Sequence, residues 1–178
     1  MARQYFADVI SEPVNADFAT ITATTETVLI PTQFTPIPAN EPRAGKVYEL
    51  IVGGTCTTGT AGTLIITPRY GLTIGGTALG ASPTQNYVPS ITLAPFMFRA
   101  TLIFRSIGLA GANSTAICNT EWCSGGAVAT AASETVVRST STAAVSIDTS
   151  VASGLWIGVT FSVAPSVIPR FHVWRAMN

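Results

Sequence analysis

One histidine, three cysteines and nine carboxylates are the residues of this chain with the most capacity for chemistry. A catalytic dyad or a zinc site would have to include His172 or do without histidine altogether. His172 sits between Phe171 and Val173 in a β-prone terminal stretch, and the nearest carboxylate before it in sequence is Asp148. No Gly-x-Ser-x-Gly elbow occurs anywhere, so a serine nucleophile of that kind has no support. A structural or interface role for His172 is the expectation. Cys118 and Cys123 lie five residues apart, which sends their thiols to opposite faces of a strand. With no Cys-x-x-Cys pair and no second histidine, the spacing argues for buried thiols, Cys56 included, over metal ligands. The carboxylates form no close pair in sequence of the kind a glycosidase uses, although distant strands can bring such a pair together. The glycine clusters at 53–54 and 75–80 lack Gly-x-Gly-x-x-Gly and Gly-Lys-Ser/Thr and open no helix, so they read as turns. Asn113-Ser114-Thr115 matches a glycosylation acceptor, which means little without a secretory signal. No enzyme, cofactor or metal is expected.

Composition restricts the partners. Only 10% of the 178 residues are Asp, Glu, Lys or Arg, against roughly 25% in ordinary domains. Nine basic and nine acidic residues cancel, which leaves no electrostatic footprint for nucleic acid. A chain this long can bury the core of one domain. Its hydrophobic fraction, 47%, is ordinary, so Thr, Ser, Gly and Pro have taken the place of charge. Such a surface is poorly charged for a free monomer, and cover by neighbouring subunits is the expectation. No run reaches 18 apolar residues, so no membrane-spanning helix is expected. The first ten residues lack the apolar centre of a secretory signal, and an odd, small number of cysteines suits reduced thiols made in a cytosol.

The element that would position any functional group is the run 95–108, Pro-Phe-Met-Phe-Arg-Ala-Thr-Leu-Ile-Phe-Arg-Ser-Ile-Gly. Read with period two, Phe98, Ala100, Leu102, Phe104 and Ser106 share a core face. Met97, Arg99, Thr101, Ile103, Arg105 and Ile107 share the other face, whose two arginines call for something besides water. Around this strand the chain reads as all-β. Residues 20–30 are hydroxyl-rich and β-prone, and the segment to Pro42, with Pro31, Pro36 and Pro38, should be extended and unable to join a sheet interior. Such an arm either crosses the sandwich or reaches a neighbour. Residues 1–19, with Tyr5, Phe6, Val9 and Ile10, suit a short helix or an extension of that arm. Strands are expected at 46–52, stopped by Gly53-Gly54, and at 62–68, stopped by Pro68. Residues 71–76 read as a strand or a turn and 77–91 as a long loop. Further strands are expected at 115–123, near 134–137, near 143–147, at 155–163 and at 170–175. This is about eight strands with turn signals between them and hardly any helix, an antiparallel β-sandwich of jelly-roll-like type. The expected division is an N-terminal arm, 1–44, and a sandwich domain, 45–178.

Several of these turn-and-strand patterns carry a resemblance. Residues 45–50 (Gly-Lys-Val-Tyr-Glu-Leu), 62–71 (Gly-Thr-Leu-Ile-Ile-Thr-Pro-Arg-Tyr-Gly), 75–82 (Gly-Gly-Thr-Ala-Leu-Gly-Ala-Ser), and 102–108 with 111–115 resemble small structural proteins of tailed bacteriophages, especially those of actinobacterial hosts. The resemblance spans about residues 45–175. It implies a virion component assembled in the host cytoplasm, a jelly-roll head decoration (cement) protein that binds the major capsid protein and is often trimeric. A tail- or fibre-associated protein and a sugar-binding attachment module are the alternatives. Contacts with other subunits are expected at Pro31, Phe34, Pro36, Pro38, Tyr87, Arg99, Arg105, Trp156 and Trp174. Tyr70, Tyr87, Trp122, Trp156 and Trp174 would stack on sugars in the attachment reading, and serve as interface anchors or core in the favoured one.

Overall fold

The computed structural model describes residues 7–9, 16–87, 89–111, 113–125, 134–141 and 143–177, with side chains from residue 16 onward and, between residues 134 and 141, from Val136. The expectations for Tyr5, Phe6, Ile10 and residues 126–133 lie outside the described residues. Among the described residues the strands run β1 (Ala7–Val9), β2 (Thr27–Val28), β3 (Pro36–Ile37), β4 (Val47–Thr57), β5 (Gly62–Tyr70), β6 (Thr77–Ala78), β7 (Gln85–Tyr87), β8 (Ala94–Ser106), β9 (Ser114–Gly125), β10 (Glu134–Thr140), β11 (Val145–Ile147), β12 (Ser153–Phe161) and β13 (Ser166–Met177). The larger sheet has the order β1-β13-β4-β8-β9-β10, with β11 also on β9. The smaller has β2-β12-β5-β6, with β3 on β12 and β7 on β5. Both sheets are antiparallel and pack face to face as a β-sandwich.

The strand expected at 95–108 lies in the middle of the large sheet, between β4 and β9. Phe96, Phe98, Ala100, Leu102 and Phe104 all point inward and are buried, whereas Met97, Arg99 and Arg105 are exposed. Aromatic rings fill the space between the sheets. Tyr48 stacks on Trp174 at 5.3 Å, Phe96 stacks on Trp122 at 4.4 Å, and Phe104 meets both Tyr48 and Tyr70 edge-on.

Three of the expected breaks are instead strand interior. Gly53 and Gly54 sit within β4 because rings occupy the space a Cβ would need: that of Phe171 over Gly53 and that of Phe96 against Gly54. Pro68 lies within β5. Its carbonyl accepts from Leu79 N–H at 2.8 Å, so its missing donor falls on the side where β6 and β7 leave a gap, away from β12. Pro169 lies within β13 at a bulge before Phe171. Residues 71–76 form a turn, and the loop after them contains β6 and β7.

From residue 16 to Gly45 the chain is extended apart from a 3-10 turn at Thr32–Phe34, and it crosses its own sandwich. Ile21 bridges Val167 of the large sheet, after which β2 and β3 pair with β12 of the small sheet. This strap therefore closes one flank between the sheets. Leu29, Ile30 and Ile37 are buried in the core, and Pro36 joins an edge, where a proline costs no ladder bond. Its carbonyl accepts from the Trp174 indole at 3.0 Å, and Glu41 accepts from the Tyr48 hydroxyl at 2.8 Å. At the opposite flank Ser141 acts as a clasp, donating to Leu79 of the small sheet and accepting from Cys118 N–H of the large one.

If the strap is structural, Ile37→Ala should cost about 2–4 kcal/mol in urea unfolding, the range for a core aliphatic. A loss below about 0.5 kcal/mol, as at a free surface, would show that the segment lies off the core.

Candidate functional site

The outward face of the large sheet is sorted into rows by its register. One row reads Phe171, Gly53, Met97, Cys123 and Val136 across β13, β4, β8, β9 and β10. The next reads Val173, Ile51, Arg99, Glu121 and Arg138, followed by Arg175, Glu49, Thr101, Asn119 and Thr140. A last row of Met177, Val47, Ile103 and Ile117 is apolar again. On β8 and β9 two polar rows thus lie between two apolar ones.

Glu49 anchors the polar rows. Its side chain is fully buried although it stands on the outward face. Arg175 donates from Nε to Glu49 Oε2 at 2.5 Å, and Arg99 reaches Oε1 from the other flanking strand. Farther along, Arg138 donates from Nε and Nη2 to Glu121 Oε1 at 2.8 and 2.6 Å. Charges therefore alternate in sign across five strands, the arrangement that favours cross-strand pairs. Arg99 was expected to find its contact outside the domain, and in the structure it finds Glu49. Nothing in sequence signals this pair, because the two residues are fifty positions apart and meet only through the β4–β8 register.

A second surface lies at the end of the sandwich where β5 and β8 finish. Gly71 N–H donates to Gly154 O at 3.0 Å, which ties the 71–76 turn to the start of β12. Ser114 and Thr149 share a hydroxyl hydrogen bond of 2.8 Å, which sets the 107–113 turn beside the 148–152 loop. These three loops carry Leu72, Ile74, Ile107, Leu109 and Val151, five of the nine large apolar side chains exposed among the described residues. Leu109 is 86% exposed. Gly45 N–H donates to Phe104 O at 2.8 Å, which ties the chain two residues after Arg43 to the strand one residue before Arg105. These are the two arginines without an ion pair among the described residues.

The remaining candidates are placed differently. Tyr87 and Trp174 are core residues, as are Tyr70 and Trp122. Trp156 lies on the outward face of the small sheet, buried beneath Arg69, whose guanidinium is 5.9 Å from the ring centroid and bonded to Glu26. Gly158 leaves the room this ring needs. None of these five rings offers a stacking platform to a sugar, contrary to the attachment reading as framed on aromatics. Phe34 is half-buried against the core, Pro36 lies at its edge, and Pro31 and Pro38 belong to the same strap.

His172 is buried between Phe18 at 5.6 Å and Phe34 at 5.1 Å, both from the strap, and neither ring nitrogen has a hydrogen-bond partner. Desolvation lowers its pKa from the ordinary 6.5. The Cys56 and Cys118 thiols, also desolvated, are pushed up to about 11 and about 12, so both stay protonated at neutral pH. Cys118 faces the core and Cys123 the outward face, as their spacing requires. Among the described residues no three His, Cys, Asp or Glu side chains gather as metal ligands, and no helix is long and apolar enough to cross a membrane.

Comparison with protein-family models, with curated proteins and with solved structures finds no match to this chain.

Two predictions follow from the charged groups. Arg99→Met with Arg175→Met strands the Glu49 carboxylate without water and should cost about 3–5 kcal/mol at pH 7. Glu49→Gln leaves arginines that reach solvent and should cost clearly less; denaturant unfolding of the two variants gives the order, and the reverse order would contradict this account of Glu49. For His172, the folded chain binds fewer protons than the unfolded chain just below the ordinary value of 6.5. Stability should therefore be level above that value and fall as pH drops toward the folded value. His172→Phe should flatten the slope between pH 7 and 5 in thermal melts, and an unchanged slope would assign it to another group.

Proposed function

We propose that this chain is a non-enzymatic structural subunit of a bacteriophage particle, a head decoration (cement) or minor capsid protein that docks through the loop end of its sandwich. The virion assignment comes from the resemblance of its turn-and-strand motifs. The docking surface is supported by one observation: five exposed apolar side chains on three loops gather at one end, with Arg105, which has no ion pair among the described residues, at the end of β8 next to them. An apolar cluster rimmed by charge is the usual form of a protein contact, and it is costly to leave in water. The scarcity of charge elsewhere suits a subunit covered by neighbours.

A cement protein acts by binding energy alone. Apolar loop tips that seat in a neighbour's surface add to the work of separating capsid subunits, and a rigid sandwich behind them keeps the ordering cost low. The strap and the Ser141 clasp close both flanks of this sandwich, so its loops are held by packed strands. Arg105, the penultimate residue of β8, would orient the contact by pairing with a partner's carboxylate. The same chemistry would serve between copies of this chain, and a trimer is the favoured assembly.

Leu109→Asp should reduce co-sedimentation with purified particles by about tenfold or more, as at an interface anchor. Arg105→Ala should weaken binding too, while both variants keep unfolding within about 0.5 kcal/mol of the parent, as exposed sites do. Undiminished particle binding by both would contradict docking by this end.

A further inference from the structure

We propose that the outward face of the large sheet holds a binding site for a carboxylate-bearing saccharide, built on Arg99, Thr101, Asn119, Glu121, Arg138 and Thr140. These six side chains occupy two in-register rows on β8, β9 and β10 and line a shallow depression of about 360 Å³. That volume falls within the usual range for small-ligand sites. The site stands apart from the loop end and does not depend on it.

The chemistry of the rows selects the ligand class. Thr101, Asn119 and Thr140 stand side by side, and none has a side-chain partner among the described residues. Two hydroxyls and an amide in a line offer donors and acceptors at strand spacing, which suits a ring bearing several hydroxyls. The arginines beside them are only partly used. Arg99 is 58% exposed and meets Glu49 through one nitrogen, while Arg138 is 72% exposed and spends two nitrogens on a single oxygen of Glu121. Each keeps N–H donors for a ligand, and a guanidinium takes a carboxylate in two parallel bonds. Glu121 Oε2 remains to accept from a hydroxyl.

Charge narrows the choice further. Across the ladder Arg99, Arg138 and Arg175 face Glu49 and Glu121, which leaves one positive charge. One carboxylate satisfies that excess, whereas a phosphate dianion would exceed it beside Glu121. The bounding row supplies the apolar contact a sugar ring needs: Met97 and Val136 are exposed directly alongside and can meet its C–H face. Aromatic platforms are the more familiar signal for sugars; here the exposed ring of the bounding row, Phe171, lies over Gly53 on the far side of β4, and the aliphatic Met97 and Val136 line the site.

Saturation-transfer NMR on the full chain with 3′-sialyllactose, a glucuronate-terminated disaccharide and lactose tests this. The expected result is transfer to at least one acidic saccharide and much less to lactose. Arg138→Ala with Asn119→Ala should weaken that binding by about tenfold or more, the effect of losing a charge-assisted and a neutral hydrogen bond. Thr140→Ala should weaken it less, and melting temperatures should stay unchanged because all three side chains are exposed. Silence with all three saccharides, equal transfer to lactose, or undiminished binding by the double variant would each overturn the proposal. Loss of particle binding in the double variant with no saccharide transfer would assign the face to a protein partner instead.

Discussion

A carboxylate without access to water has to be met by cations, and Glu49 imposes that requirement on the middle of this fold. Its partners come from both neighbouring strands, Arg175 on β13 and Arg99 on β8. A slip of one residue in either pairing would turn the arginine inward or leave the carboxylate unmet. Since a one-residue slip also exchanges the two faces of a strand, the register that satisfies Glu49 is the one that sends Leu50, Val52, Phe98 and Ala100 into the core. One ion-paired group and the alternation of the strands thus agree on a single arrangement. Agreement between levels of this sort is what lets a sequence specify one structure.

The two flanks show how the remaining surface becomes available for contact. The strap carries Ile21, Leu29, Ile30 and Ile37 into the gap between the sheets and satisfies the Trp174 indole. The Ser141 clasp holds the opposite side. With both flanks occupied, the outward sheet faces and the ends remain for binding, and the outward face of the large sheet and the loop end are the two candidates. These two surfaces differ in chemistry. The loop end is apolar with unpaired arginines, which fits a protein contact, and the sheet face is a polar grid between apolar rows, which fits a hydroxyl-rich ligand.

Much of the fold is legible in the chain itself. The alternation in 95–108 puts Phe98, Ala100, Leu102 and Phe104 inside, since period two is a local property that needs no partner, but Ser106, expected on the same face, is exposed because the register shifts after Phe104. What escapes is whatever depends on partners distant in sequence. Gly53-Gly54 and Pro68 read as stops and are strand interior, because rings from Phe171 and Phe96 and a gap in a neighbouring strand make them tolerable. β2, β3 and β6 are two residues long and have no periodicity to read. In the candidate sites, Arg99 and Arg105 are visible as charges on a mixed face. Arg99's partner Glu49 is not, and neither is the in-register line of Thr101, Asn119 and Thr140. The tryptophans and tyrosines stay open between core, interface and sugar stacking for the same reason: composition shows that large rings exist, and only topology shows which face they take.

The central claim is that the chain works by docking, with the loops at 71–76, 107–113 and 148–152 turned toward a neighbour. Cryo-electron microscopy of the purified particle tests this directly at side-chain resolution. The account predicts sandwich density on the particle with Leu72, Ile107, Leu109 and Arg105 covered by another subunit. A particle without this chain, or one in which that end faces solvent while another surface makes the contact, would contradict it.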